Sequence, residues 1–545
     1  MPLHTYSTAI LSLLACTAMS CTQSDEKPDD SGTTDVVNVP EPAPCPEGSD
    51  LSWMSTHGCV LGTESEGLEY FLNIPYASPP VDELRWKRPV THEVWTEPLD
   101  ASTAGNFCVQ QTYTGVQGSE DCLNLNIIRP TNNTESSLPI LFFTHGGSHI
   151  NGSGIDEAYI NNPQLAQNAI VVTHNYRLNA FGFLAHPDLT AEDAAEHGNG
   201  SSGNQGLFDT LMALEWVYDN AEALGGNPRN IMIFGESAGA ATTCALLTSP
   251  LAEGLFDAAI LQSGNCQWFP ELDAATPYSE PAENLGLTIA DTLGCTGDNS
   301  LECLREQSAE DVLNALPPDT SHPNVDGVFL NTHPTLAIAY GNFNRVPIVA
   351  GVNGNEGSMF VRELALQSAE DLEDTLLEWG PFFGLLDTDT LKSLYSIEEY
   401  GSAQEAFDQF YADLIFVCPT KFLLDSASPY VQTYGYYYTH IPSWIDLYPY
   451  MEGWGAYHSS ELPFVFGTFL DTLTNEEQVL SSQLQDAWRS VAYGSPRLPS
   501  DTPWPTYDSE LANGGSWAQW DTTGATMVTG VKKDNCDYIA GQWWQ

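Results

Sequence analysis

The sequence predicts an α/β fold, with a large, mainly parallel central sheet flanked by helices and a helical insertion over one edge. Three observations predict it. Short runs of consecutive apolar residues recur along the chain, helix-period stretches alternate with them, and the runs end near Gly, Asn or Ser. Consecutive apolar positions are what a strand covered on both faces requires. Strands that alternate with helices are joined by crossovers, which favour parallel pairing.

The N-terminal part is expected to lie outside this fold. Residues 8–19 form an apolar run too short to span a bilayer, so residues 1–21 read as a secretory segment. Cys16 follows Leu13-Leu14-Ala15, and Cys21 follows Ala18-Met19-Ser20. Both contexts resemble the cleavage box of bacterial lipoproteins, which implies a lipid anchor at Cys16 or Cys21; a plain secretory signal is the other reading. Residues 22–44 are mostly Asp, Glu, Pro, Ser and Thr, with little to bury, and are expected to form a disordered acidic tether. Residues 45–545 then make the folded domain. A secreted or cell-envelope location follows from this reading.

Charge excludes some partners. Seventy-two acidic residues against sixteen basic ones give a net charge of −56. Such a surface repels phosphate backbones, so nucleic acid is excluded as a partner. Ten of the twelve cysteines follow the leader. An even number in an exported chain points to disulfides. None of the ten lies in Cys-x-x-Cys, and no His-Glu-x-x-His occurs, so neither a metal nor another cofactor is expected.

The strand candidates are residues 140–144, 170–173, 231–234, 258–262, 347–350 and 434–439. A helix is expected over 207–223, where Leu211, Leu214, Trp216 and Val217 share a side. Residues 360–428 carry no strong strand signal and read as a helical insertion over the carboxyl edge of the sheet, where ligands bind in such folds.

The chemistry is written at the bend after residue 234. There Gly235-Glu236-Ser237-Ala238-Gly239 separates a strand from a helical run that Pro250 stops. Gly-x-Ser-x-Gly between strand and helix is a nucleophile elbow, which projects the serine oxygen above the sheet and leaves no room for side chains two positions away. A hydroxyl needs a base and an oxyanion site to attack an ester. Upstream, His145-Gly146-Gly147-Ser148 follows a strand candidate and would turn backbone N–H groups toward a developing oxyanion.

These residues resemble the carboxylesterase/cholinesterase family, the type-B esterases and lipases, over about residues 68–538. Asn73-Ile74-Pro75-Tyr76-Ala77, Leu84-Arg85-Trp86, Ser119-Glu120-Asp121-Cys122-Leu123-Asn124, Tyr176-Arg177, Gly203-Asn204-Gln205-Gly206 and Gly225-Gly226-Asn227-Pro228 stand in the family's order. The resemblance implies the α/β-hydrolase fold and a Ser-His-Glu triad. Its acid falls on Glu356 in Gly351-Val352-Asn353-Gly354-Asn355-Glu356-Gly357. Its base falls on His458, ahead of Glu461-Leu462-Pro463-Phe464. The oxyanion donors fall on Gly147, Ser148 and Ala238, and the acyl-pocket wall on Trp268 and Phe360. Ser148 replaces a usual glycine, so tertiary-alcohol esters are expected to be poor substrates; His149 replaces a usual aromatic. The implied disulfides are Cys108–Cys122, Cys295–Cys303 and Cys418–Cys536. Cys45 and Cys59 form an added pair, and Cys244 and Cys266 are left either bonded or free.

The resemblance also bears on the substrate, a small ester. The loop between Cys108 and Cys122 holds thirteen residues and no tryptophan, and Met359 stands three residues after Glu356. A cation–π site for choline is therefore not assembled from the usual parts, and the loop is too short for a lipase lid. Soluble short- to medium-chain esters are expected. The alternatives are a lipase, a specialised ester or carbamate hydrolase and, outside the enzymes, a non-catalytic binding protein of the same fold. The sequence leaves the oligomeric state open.

Overall fold

The structure is a computed structural model that describes residues 40–49, 51–131, 137–267, 269–276, 279–316, 322–511 and 514–543. The leader, most of the tether and Trp268 lie outside the described residues. Residues 41–545 form one compact unit.

Its frame is an eleven-stranded sheet. In chain order the strands are β1 (Thr63–Ser65), β2 (Leu68–Pro75), β3 (Asn124–Pro130), β4 (Leu138–Thr144), β5 (Ile170–His174), β6 (Gly226–Glu236), β7 (Ala258–Gln262), β8 (Ile348–Asn353), β9 (Thr433–Tyr438), β10 (Ser516–Asp521) and β11 (Gly524–Thr529). Across the sheet they run β11-β10-β9-β8-β7-β6-β4-β5-β3-β2-β1. The seven strands from β10 to β5 pair in parallel, and antiparallel strands close both edges.

Both faces of the sheet are covered, which explains the unbroken apolar runs. Ile140, Phe142, Val172, Ile233 and Leu261 face one core with Leu207 and Leu214 of helix α1 (Gln205–Asn220) and Ala245 of α2 (Ala238–Thr248). Leu141, Phe143, Val171, Met232, Phe234 and Ile260 face the other. There they meet Leu480, Leu484 and Trp488 of a helix spanning Asn475–Ala492. Alternate residues of each strand thus enter opposite layers, so no position in the central strands can be polar cheaply.

The six strand candidates all form. The strand ahead of Ser237 begins at Gly226, earlier than its apolar run. The segment at 227–230 has turn composition and bulges out of the ladder: Gly226 pairs with Leu138, and pairing resumes only at Ile231, opposite Ile140. Strands β1, β2, β3, β10 and β11, which form and flank the two edges, were not among the candidates. Each has a polar or mixed pattern, because an edge needs less apolar cover.

The insertion is helical, as expected. It includes α3 (Ala369–Phe382), α4 (Ala403–Ala412), a π-turn at Asp413–Val417 and α5 (Cys418–Ala427). Disulfides join Cys45 to Cys59, Cys108 to Cys122, Cys295 to Cys303 and Cys418 to Cys536. Cys244 and Cys266, left open by the sequence, are bonded too. Among the described residues no helix is long and apolar enough to cross a membrane.

Candidate active site

The elbow lies at the centre of the sheet. β6 runs between β4 and β7, with Gly235 opposite Thr144 and Glu236 opposite Gln262. The chain then reverses at Ser237, whose φ of 57° and ψ of −123° are costly for a residue with a side chain. The Ser237 N–H donates to the Gln262 carbonyl at 2.9 Å, and α2 starts at Ala238. The flanking glycines are sterically required. A Cβ on Gly235 would lie 2.3 Å from the Gly239 carbonyl oxygen, and one on Gly239 would lie 2.0 Å from that of Thr144.

The turn after β4 lies against the serine. A Cβ on Gly146 would meet the Glu236 carboxylate at 2.7 Å and Ser237 Cβ at 2.9 Å. Gly147, Ser148 and His149 have φ of 100°, 54° and 59°, three successive residues in the left-handed half of the map. Among the described residues, no carbonyl or side chain accepts from the N–H groups of Gly147, Ser148 and Ala238. Unpaired N–H groups gathered beside a nucleophile can accept a developing negative charge. His145 and His149 are buried, and burial lowers their pKa values to about 4 and about 3, so both rings are neutral.

Two further loops bring in the expected acid, Glu356, and the expected base, His458. Asn355 N–H donates to the Ala456 carbonyl at 2.9 Å, and Ala456 N–H donates to Asn355 Oδ1 at 3.0 Å, zipping the loop after β8 to the one carrying His458. Glu356 is wholly buried and takes the Asn353 N–H on Oε1 at 2.6 Å. Its Oε2 accepts from His458 Nδ1 at 2.6 Å. The other ring nitrogen, Nε2, lies 3.0 Å from Glu236 Oε1, an ion-pair distance without hydrogen-bond alignment. Burial alone would lower the His458 pKa, but the Glu236 and Glu356 carboxylates outweigh it and raise it. Burial pushes the Glu236 carboxyl up, with His458 opposing.

Three residues around this centre carried no assignment from the sequence. Glu236 is one. Glu461, three residues after His458, is buried and accepts from Gln262 Nε2 at 2.9 Å and from Asn353 Nδ2 at 2.6 Å. It ties the loops bearing Glu356 and His458 to β7. Phe416, on the π-turn, packs its ring 4.6 Å from His458, closer than the expected Phe360 at 5.1 Å. A glutamate inside the elbow motif and one a helical turn after the histidine are readable signals; Phe416 has none.

Of the expected site residues, Glu356 and His458 are joined directly, and Ser237 lies beside the Gly146 turn and next to Glu236. Phe360 borders the imidazole. Among the described residues no group of His, Cys, Asp and Glu is arranged to hold a metal.

The sequence model of the carboxylesterase family matches residues 51–539. The chain belongs to this family. Among related carboxylesterases, human cocaine esterase is 33% identical over 506 residues, 84% of this chain and 86% of its own. The para-nitrobenzyl esterase of Bacillus subtilis (strain 168) is 32% identical over 481 residues, 83% of this chain and 92% of its own. A solved PNB esterase structure superposes with a TM-score of 0.74 at 30% identity, over 90% of this chain and 100% of that one. The fold of this carboxylesterase is accordingly that of the α/β-hydrolases. Family membership supports carboxylic-ester hydrolysis as its chemistry.

Proposed function

We propose that this carboxylesterase hydrolyses soluble short- to medium-chain esters through an acyl-enzyme on Ser237. The observation that carries the reading is the buried 2.6 Å pair of His458 Nδ1 and Glu356 Oε2 beside a serine elbow. His458 Nε2 takes the Ser237 proton as Oγ attacks the ester carbonyl. Glu356 holds Nδ1–H, fixes the tautomer and stabilises the imidazolium that forms. The N–H groups of Gly147, Ser148 and Ala238 receive the oxyanion, and each such donor is typically worth about 3 kcal/mol of barrier. His458 then gives its proton to the leaving alcohol, and a water repeats the cycle on the acyl-enzyme.

Phe360 and Phe416 wall the acyl side, with Trp268 assigned there by resemblance. The short Cys108–Cys122 loop supports an unlidded site: it folds into a small hairpin whose tip, Tyr113, is fully exposed. Five disulfides support export, and a lipid anchor at Cys16 or Cys21 remains part of the proposal.

The test is hydrolysis of p-nitrophenyl acetate, butyrate and palmitate by purified protein beside Ser237→Ala. Turnover of the two short esters that the variant lacks is expected. Equal residual rates for both proteins would move a non-catalytic role to first place, and a preference for emulsified palmitate would indicate a lipase.

A further inference from the structure

We propose that His149 is a positioning residue for the oxyanion donors. Its imidazole ties the turn bearing the Gly147 and Ser148 N–H groups to the helix bearing that of Ala238. The inference rests on the acyl-transfer reading above.

The turn cannot hold its shape by itself. Ser148 and His149 are consecutive non-glycine residues at φ of 54° and 59°. Such conformations persist only where the surroundings over-determine them. The surroundings here converge on His149. Its carbonyl accepts from the Asn179 N–H at 2.6 Å, its ring packs 4.8 Å from Phe183, and its Nε2 lies 3.1 Å from Thr242 Oγ1.

Thr242 sits on α2, one turn beyond Ala238, and is fully buried. A threonine inside a helix commonly turns its hydroxyl back to the carbonyl four residues earlier. Thr243 and Thr248 of the same helix do so, at 2.9 Å each. The Thr242 hydroxyl meets His149 instead. The bond to Thr242, beside the ring's hydrogen bond to the Ala238 backbone itself, joins the two backbone segments whose N–H groups must point at the same oxygen. Burial, aided by His322, keeps the ring neutral, so the link is a hydrogen bond with no ionic component.

The test compares His149→Phe, Thr242→Val, Thr242→Ser and the double variant His149→Phe/Thr242→Val on p-nitrophenyl butyrate. Misaligned donors weaken transition-state binding more than substrate binding, so each of the first two should lower kcat about tenfold with KM unchanged within about twofold. The double variant should be no worse than the poorer single, and Thr242→Ser should restore most of the rate. A trifluoromethyl ketone, whose tetrahedral adduct places an oxyanion in the same site, should bind the first two variants about tenfold more weakly. Should His149→Phe fail to fold, Thr242→Val carries the test, since it exchanges only a hydroxyl for a methyl group.

Losses that multiply in the double variant, losses confined to KM, or full activity in both singles would overturn the proposal. A wild-type protein no more active than Ser237→Ala would instead remove the acyl-transfer reading, and this one with it.

Discussion

His458 Nε2 lies 3.0 Å from Glu236 Oε1 while Nδ1 lies 2.6 Å from Glu356 Oε2, so the imidazole is held between two buried carboxylates. The negative charge of the two carboxylates favours its cation, so its pKa stands above the ordinary histidine value despite burial, while burial pushes the Glu236 carboxyl itself up to about 8.

A consequence for pH follows. In the proposed mechanism His458 must be neutral to act as base, so activity should rise as pH climbs through the raised His458 pKa. Glu236→Gln removes one of the two anions without removing Glu356. The rising limb of kcat/KM against pH should then move to lower pH by about one unit. The linkage to stability has the same sign: the raised pKa stabilises the fold below the unfolded histidine value, and that contribution is lost as pH climbs through the folded one. An unmoved limb in the variant would separate Glu236 from the titration of the base.

Ser237, the proposed nucleophile, holds a strained backbone angle. Ser237→Gly removes the hydroxyl and admits the angle without a side chain. Esterase activity should fall by roughly 10⁴-fold or more. The thermal midpoint should nevertheless rise by about one degree, because relieved strain slightly exceeds the added freedom of the unfolded glycine. Calorimetry beside the rate assay checks both, and a midpoint several degrees lower would mean that the serine supports the fold.

How much of this was legible in the sequence depended on whether a residue's role is local. Ser237, Glu356 and His458 each sit in a linear motif at the end of a strand or on a tight loop, so short-range pattern located them. Glu461 and Glu236 stood inside those same motifs without an assigned role, because their meaning comes from convergence on one imidazole. Phe416 was beyond reach. It is placed by a π-turn in a helical segment with no motif, and helix periodicity does not announce such a turn. The central strands were readable from burial on both faces, whereas the antiparallel edges, half covered and mixed in pattern, were not.

The buried pair of Arg177 and Asp209 anchors the segment after β5 to α1. Arg177 donates from Nε at 2.8 Å, from Nη2 at 2.7 Å and from its backbone N–H at 3.0 Å, all to the one carboxylate. Asp209→Ala would strand a guanidinium in the core, at a cost of about 3–5 kcal/mol. Urea unfolding should show this as a lower midpoint at similar slope. The double change Arg177→Met/Asp209→Leu should recover part of the loss; a double variant worse than the single would show that the pair's shape, and not its charge, matters.

The charge of −56 makes salt the last lever. Surface carboxylates spread over one folded body repel one another more strongly than they do in the expanded chain, so self-repulsion destabilises the native state. At about 0.01 M ionic strength the screening length is about 30 Å, comparable with the protein itself; at 1 M it is about 3 Å. Raising NaCl across that range should therefore raise the thermal midpoint by several degrees, with most of the gain below about 0.3 M, where screening changes fastest. Catalysis offers an independent check on the same field. The rate constant kcat/KM for a cationic ester should fall with added salt, that for an anionic ester should rise, and that for a neutral ester of similar size should change little. Parallel changes for all three esters would mean that salt acts on the fold or the site directly and that the surface field does not steer the substrate.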